Sequence, residues 1–87
     1  MTADHVILGV HITDRVHRAA EVQKVFTEHG CNIKTRLGLH EVTDQACSAA
    51  GIVLLELVGE PAILAAMKAK LEAIPGVDVQ QMVFGHD

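Results

Sequence analysis

The sequence predicts an α+β fold, the ferredoxin-like βαββαβ sandwich, in which two helices pack on one face of a four-stranded antiparallel sheet. The chain passes twice through the same order of apolar strand, amphipathic helix and apolar strand, from His5 to about Glu41 and from about Ala50 to Phe84. Its 87 residues leave room for a single domain, 1–87. Two such passes in so short a chain indicate this topology.

The first pass begins with an alternating strand from His5 to Ile12, whose even-numbered residues are all apolar and should face the helices. Thr13-Asp14 then supplies an N-cap for a helix that runs to about His29. Gly30 is well placed to end that helix in a left-handed conformation.

The second strand is predicted from Cys31 to Glu41. Arg36, Gly38 and His40 lie on its alternate face, which is polar enough to suit an edge strand. Residues 42–50 are small and polar, and they are more numerous than a tight hairpin needs. We therefore expect a loop there that can make contacts beyond its own fold.

The second pass starts with a strand from Ile52 to Val58 that is apolar on both faces, which is typical of a strand covered on both sides. Pro61 opens the second helix, and Pro75-Gly76 ends it. The last strand is predicted from Val77 to Phe84.

Helices on one side of the sheet leave its other side uncovered. With the usual strand order 4-1-3-2, that side gathers an apolar patch large enough to be unusual on a soluble monomer. We predict a homo-oligomer, a dimer or a tetramer, with sheets packed face to face or edge to edge. The predicted interface residues are Ile7, His11, Ile52, Leu54, Glu56 and Val58, with Arg36 beside them and Met82 and Phe84 as further candidates.

Composition excludes several classes of function. The net charge of -4 repels a phosphate backbone, and two Phe with no Trp or Tyr offer little for base stacking, so we expect no direct nucleic-acid binding. No apolar stretch reaches the roughly 20 residues of a membrane span, and the first four residues do not resemble a signal peptide. A cytoplasmic protein is expected, in which Cys31 and Cys47 stay thiols.

Six histidines make a metal site worth considering, because imidazole is the commonest protein ligand for metals. His40 and Cys47 flank the predicted 42–50 loop and form the best local pair. His29, at a helix end, could join them only through the fold or through a neighbouring subunit. The alternative is that His29 caps its helix and that His11 and His40 make hydrogen bonds at an interface.

A small effector has a second candidate site. Backbone N–H groups and the positive helix end gather at Thr13-Asp14-Arg15, where an anion or a carboxylate could bind with help from Arg15. Plain helix capping is the alternative. Arg36 and Gly38 complete this candidate set, since a glycine within a strand marks a bulge or the close approach of another backbone, here that of a second subunit. No grouping of nucleophile, base or paired carboxylates indicates an enzyme.

Several motifs together look like those of the small iron-only hydrogenase system regulators, over nearly the whole chain. They are the Asp14-Arg15 turn, the stretch from Val22 through Gly30 into Ile33, the segment Arg36-Leu37-Gly38-Leu39-His40, and Ile74-Pro75-Gly76-Val77. That family resembles the ACT-like regulatory fold and, more distantly, the C-terminal metal-sensing domain of the nickel-responsive repressor.

The resemblance implies a stand-alone, non-enzymatic ACT-like module that senses a small-molecule effector at subunit interfaces and regulates transcription or the hydrogenase system. The likeness to the nickel repressor implies a rival, a sensor or carrier of a divalent transition metal, nickel or zinc. His40, Cys47 and His29 fall near ligand positions of that repressor, while Gly38 stands where another histidine is expected. A third possibility is a structural assembly factor that binds a protein partner through the uncovered sheet face.

Overall fold

The computed structural model describes residues 4–42 and 47–85, and for Arg15 and residues 39–42 and 47–50 it describes the backbone alone. The sheet is antiparallel with the order β2-β3-β1-β4, which confirms the predicted fold class and strand order. The elements are β1 His5–Ile12, α1 Arg15–Glu28, a 3-10 turn Gly30–Asn32, β2 Ile33–Val42, β3 Cys47–Leu57, α2 Pro61–Glu72 and β4 Val77–Phe84.

The core lies between one face of the sheet and the two helices. Alternate residues of the strands are buried there because side chains point to opposite faces of a strand with a period of two. Within the described residues, neither helix combines the length and the apolar character needed to span a membrane. The buried residues are Leu8, Val10, Ile12, Leu55, Leu57 and Val79 of the strands, and Val22, Val25, Phe26, Leu64, Met67, Leu71 and Ile74 of the helical layer.

The start of α1 is held by two neighbouring residues with different partners. Asp14 is the N-cap, and its carboxylate accepts a hydrogen bond from the backbone N–H of His17 at 3.3 Å. Thr13 instead donates from its backbone N–H and its Oγ1 to the Gly76 carbonyl, at 2.9 and 2.8 Å. Thr13 therefore ties the β1–α1 turn to the turn that precedes β4.

The prediction that Gly30 ends α1 in a left-handed conformation is wrong. His29 is the C-cap, with φ −111°, and Gly30 begins the 3-10 turn that follows. Because the chain continues into another helical turn, no residue with positive φ is needed there. Among the described residues, positive φ occurs at Gly59 and Gly76.

A β-bulge at the start of β2 changes which side chains face the helices. Ile33 lies opposite Leu57 and Thr35 opposite the next residue, Glu56, so Lys34 is an extra residue in the ladder. One extra residue reverses the alternation that follows it. The prediction that Arg36 lies on the uncovered face is therefore wrong, because Arg36 pairs with the buried Leu55.

Contacts with α1 confirm the position of Arg36 on the helix side. Its Nη1 donates to Gln23 Oε1 at 3.0 Å, and its guanidinium lies 4.9 Å from the centre of the Phe26 ring. Leu37 takes the place on the uncovered face, where 53% of its surface is exposed. The bulge thus exchanges a cation for an apolar residue on that face.

The predicted loop over residues 42–50 is shorter than expected, because β2 extends to Val42 and β3 begins at Cys47. Residues 43–46 lie outside the described part. β1 pairs with β3 only as far as Gly51, so the end of the β2–β3 hairpin projects beyond the central strand. The described chain is elongated as a result, with a longest dimension of 49 Å. The small residues at the start of β3 have a low strand propensity, but backbone pairing with β2 stabilises them in the strand conformation.

Two glycines give a matched test of this backbone. A Cβ at Gly76, where φ is +79°, would lie 2.8 Å from Thr13 Oγ1, whereas a Cβ at Gly38 would meet no atom within 4 Å. Gly76→Ala should lower the free energy of unfolding by about 1–2 kcal/mol. Gly38→Ala should leave it unchanged or raise it by roughly 0.5 kcal/mol. Chemical denaturation measures both, and equal losses would contradict the assigned conformations.

Candidate functional site

The uncovered face of the sheet carries a row of apolar side chains across all four strands. Directly opposite pairs join Leu37 to Leu54, Leu54 to Gly9, and Ile7 to Met82. Opposite neighbours lie about 5 Å apart, and Gly9 adds no side chain. Leu54 and Ile7 are diagonal neighbours roughly 7–8 Å apart, which is within reach of such side chains, so the apolar side chains form one row. The apolar residues of this face are Ile7, Leu37, Ile52, Leu54, Met82 and Phe84, with Leu37, Ile52, Met82 and Phe84 exposed and Ile7 and Leu54 half-buried.

Glu56, an acidic residue of this face, has several polar partners. Glu56 accepts a hydrogen bond from Thr35 Oγ1 at 3.3 Å, and its Oε2 lies 3.5 Å from His5 Nδ1 and 3.9 Å from Lys34 Nζ. Burying this carboxylate under a partner protein costs less free energy than burying an isolated charge, because its polar neighbours stay beside it. Glu56 is therefore compatible with the predicted interface.

A polar hollow of about 250 Å³ lies in the middle of the same face, over Gly9. His11, Asp78 and Gln80 line it together with Ile52, and His11 is directly opposite Asp78 across the β1–β4 pair. The hollow exists because Gly9 has no side chain. The structure thus places the predicted interface residue His11 at a polar depression within this face.

A larger groove of about 450 Å³ opens on the helix side of the sheet, between the first turns of α2 and the C-terminal half of β4. Its volume lies in the range of small-molecule pockets. It is lined by the apolar residues Val6, Leu57, Val58, Pro61, Leu64, Ala65 and Val83, by Gly59, and by the polar residues Asp4 and Gln81. Val58, predicted for the sheet interface, lies one residue beyond β3 and lines this groove.

The predicted effector site at Thr13-Asp14-Arg15 is occupied by the protein's own groups. The His17 ring nitrogen Nδ1 lies 2.6 Å from the Asp14 carboxylate. This hydrogen bond holds the pKa of Asp14 below its usual range, so the carboxylate stays ionised at the positive end of α1. A second anion would meet that charge, and the geometry favours plain helix capping. The side chain of Arg15 lies outside the described part.

The other two predicted effector residues are not brought to this turn. Arg36 is engaged by Gln23 and Phe26 of α1, and Gly38 lies in regular pairing with Val53 on the edge strand β2. Two strand spacings, roughly 10 Å, separate β2 from β1 and its following turn. The bulges of β2 lie before and after Gly38, so this glycine does not mark a bulge, and the close approach of a second subunit's backbone stays a prediction.

The backbone places His29 far from the predicted metal ligand His40 within one protomer. His29 is buried, and its Nε2 lies 3.1 Å from Lys70 Nζ, where it accepts a hydrogen bond from the ammonium. His29 precedes β2 and His40 is near its far end, a separation of roughly 20 Å along the strand. The side chains of His40 and Cys47 lie outside the described part. Among the described residues, no three potential ligands cluster.

Sequence reasoning missed both Leu37 and the groove. The bulge that exposes Leu37 could not be recognised from the alternation of polar and apolar residues in β2. Lys34, the extra residue, is as compatible with a regular strand as with a bulge. The groove forms because the helices leave one end of the sheet's inner face open, where Val6 and Val83 are incompletely covered. The apolar residues before Pro61 and at the end of β4 were the available signal.

No family model matches the sequence, and no curated protein matches it. Solved structures do match its fold. The uncharacterised protein TM1266 from Thermotoga maritima has a TM-score of 0.80 at 21% identity, over 95% of this chain and 100% of that one. CPII from Thiomonas intermedia K12, a nitrogen regulatory PII-like protein bound to ADP, AMP and bicarbonate, has a TM-score of 0.56 at 12% identity, over 98% and 97%.

A third match is a formyltetrahydrofolate deformylase from Pseudomonas putida KT2440, with a TM-score of 0.53 at 16% identity. It covers 90% of this chain and 28% of the longer one, so the same fold occurs there as a part of a larger chain. At these identities the likeness concerns the fold. The chain therefore has the ferredoxin-like, ACT-like fold that is shared by these three proteins.

Proposed function

We propose that this protein is a non-enzymatic, oligomeric regulatory module that senses a small molecule. The observation that supports the proposal most is the continuous apolar row on the uncovered sheet face. A surface of this kind on a small protein marks an interaction site. A second copy is the partner that the row suits, because two such faces are apolar in the same places, and the carboxylates of the face have polar neighbours: Glu56 lies beside His5 and Lys34, and Asp78 lies opposite His11.

The groove between α2 and β4 is the effector site in this proposal. Its walls are apolar, and its two polar residues differ in kind: Asp4 can accept hydrogen bonds, and Gln81 can both donate and accept. No hydrogen bond of the Gln81 side chain occurs within the described residues. A neutral or cationic molecule with an apolar body therefore suits the groove better than an anion does.

The fold supports a sensing role in general terms. CPII, which is described as nitrogen regulatory, is bound to ADP, AMP and bicarbonate, and it shares this fold over almost its whole length. The sequence motifs that resemble the iron-only hydrogenase system regulators suggest the regulated process. Deletion of the gene in its host should then change the level of hydrogenase activity without abolishing the catalytic capacity of the enzyme itself.

A charge placed in the centre of the sheet face tests the assembly. Leu54→Arg should halve the mass of the oligomer in sedimentation equilibrium, because an arginine there would have to lose its hydration without a partner. Circular dichroism should show an unchanged fold, since the long arginine side chain can extend into solvent from the free face.

Val16→Arg is the matched control, because Val16 is 78% exposed on α1 and far from the face. This variant should keep the mass of the wild-type protein. If Leu54→Arg also kept that mass, the sheet face would not be the interface.

Filling the groove tests the effector site. Ala65 lines the groove, and Ala66, the next residue on α2, does not. Ala65→Phe should weaken binding of the neutral apolar dye Nile red at least tenfold in a fluorescence titration, because the ring would occupy the cavity. Ala66→Phe should bind the dye as the wild-type protein does. Equal affinities of the two variants would place the dye, and the effector site, elsewhere.

A further inference from the structure

The polar hollow over Gly9 holds two potential metal ligands side by side. His11 of β1 and Asp78 of β4 are directly opposite residues of an antiparallel pair, and both line the hollow on the helix-free face. The Cβ atoms of such residues lie about 4.5–5.5 Å apart. An imidazole nitrogen and a carboxylate oxygen at this separation can bind one ion, because their bonds to zinc are about 2.0–2.2 Å long.

Neither of these side chains is engaged elsewhere. Within the part of the chain that the structure describes, His11 and Asp78 make no side-chain hydrogen bond or ion pair, even with each other. The pair of His17 and Asp14 differs in this respect, since the His17 ring nitrogen lies 2.6 Å from the carboxylate that caps α1. The pair of His11 and Asp78 is therefore available to a ligand.

One protomer does not complete a metal site. Structural zinc sites have four protein ligands, and among the described residues no three potential ligands cluster. A second copy supplies the missing ligands if the helix-free faces pack together. In a two-fold interface, a residue on the axis lies against its own copy. An axis through the hollow therefore brings two histidines and two aspartates together.

The hollow lies where such an axis can pass. Ile52, which lines the hollow, is the middle residue of the 11-residue strand β3, and Gly9 and His11 belong to β1, a central strand of the sheet. Packed sheets lie about 10 Å apart, so the plane midway between them is about 5 Å from each backbone. Histidine and aspartate side chains span this distance together with a metal bond of about 2 Å.

Packing of the two faces also creates a need for a cation. It brings two Asp78 carboxylates toward each other and away from water, which costs free energy unless their charge is compensated. A divalent ion carries the two positive charges that compensate them. Gln80, the diagonal neighbour of His11, has an amide oxygen that can accept the N–H of the imidazole nitrogen that does not bind the metal.

We propose that the hollows of two face-packed copies enclose a site for one divalent transition-metal ion such as zinc, bound by His11 and Asp78 of both copies. This inference rests on the proposed function, because it requires the face-to-face assembly. It adds a ligand that links assembly to the supply of a metal. The site uses none of the residues His29, His40 and Cys47.

A zinc titration of the protein after treatment with a chelator tests the site. In a Cys31→Ser, Cys47→Ser background, which removes the thiols, calorimetry should give one zinc ion for two chains. His11→Gln and Asp78→Asn should each weaken binding at least tenfold, since each removes two of the four ligands. His17→Gln is the matched control and should bind zinc as the background protein does. Absence of zinc binding, or equal zinc affinity of the His11→Gln and His17→Gln variants, would overturn the proposal.

Sedimentation equilibrium separates failure of the site from failure of the assembly. Saturating zinc should tighten association of the background protein at least tenfold and should not change that of His11→Gln. An oligomer that forms without zinc and binds none would overturn the metal site and leave the proposed function in place. A monomer both with and without zinc would overturn both. Leu54→Arg should lower the zinc affinity at least tenfold, because two ligands remain in each separate chain, and an undiminished affinity would contradict a site between packed faces.

Discussion

A four-stranded sheet has two faces, and in this protein both helices lie on one of them. The inner face buries alternate apolar residues of β1, β3 and β4 against α1 and α2, and Ile33 of β2 packs against this core partly buried. Burial of apolar surface supplies roughly 25 cal/mol per Å², and this core is what holds so small a chain folded. The outer face receives none of that stabilisation from its own chain, although it carries Ile7, Leu54 and Phe84. The proposed assembly follows from this asymmetry.

Single residues determine what the outer face offers to a partner. The bulge at Lys34 turns Arg36 toward Phe26 and brings Leu37 beside Leu54, so a cation leaves the face and an apolar residue enters it. Gly9 opens the polar hollow at the centre. The same strand geometry exposes Val83 on the opposite side, next to the groove. Face, hollow and groove are therefore consequences of one sheet and its register.

The architecture could be predicted from the sequence because it depends on periodic patterns. Alternation gave β1 and β4 at their observed bounds, and the doubly apolar third strand correctly indicated a central position. Four details could not be predicted, because each depends on tertiary pairing. The bulge is set by the register with Glu56 and Leu57, and the conformation of Gly30 is set by the 3-10 turn that begins there. The longer hairpin is set by pairing of Val42 with Cys47, and the groove by incomplete cover of Val83.

The central claim is that another copy of this chain covers the helix-free face, and the oxidation rate of Met82 tests it most directly. The Met82 thioether is half-exposed in the protomer, and the fully buried Met67 is an internal reference. In a hydroxyl-radical pulse analysed by mass spectrometry, the account predicts that Met82 is nearly as protected as Met67 at high protein concentration and becomes reactive on dilution. Rapid oxidation of Met82 at every concentration would contradict the account.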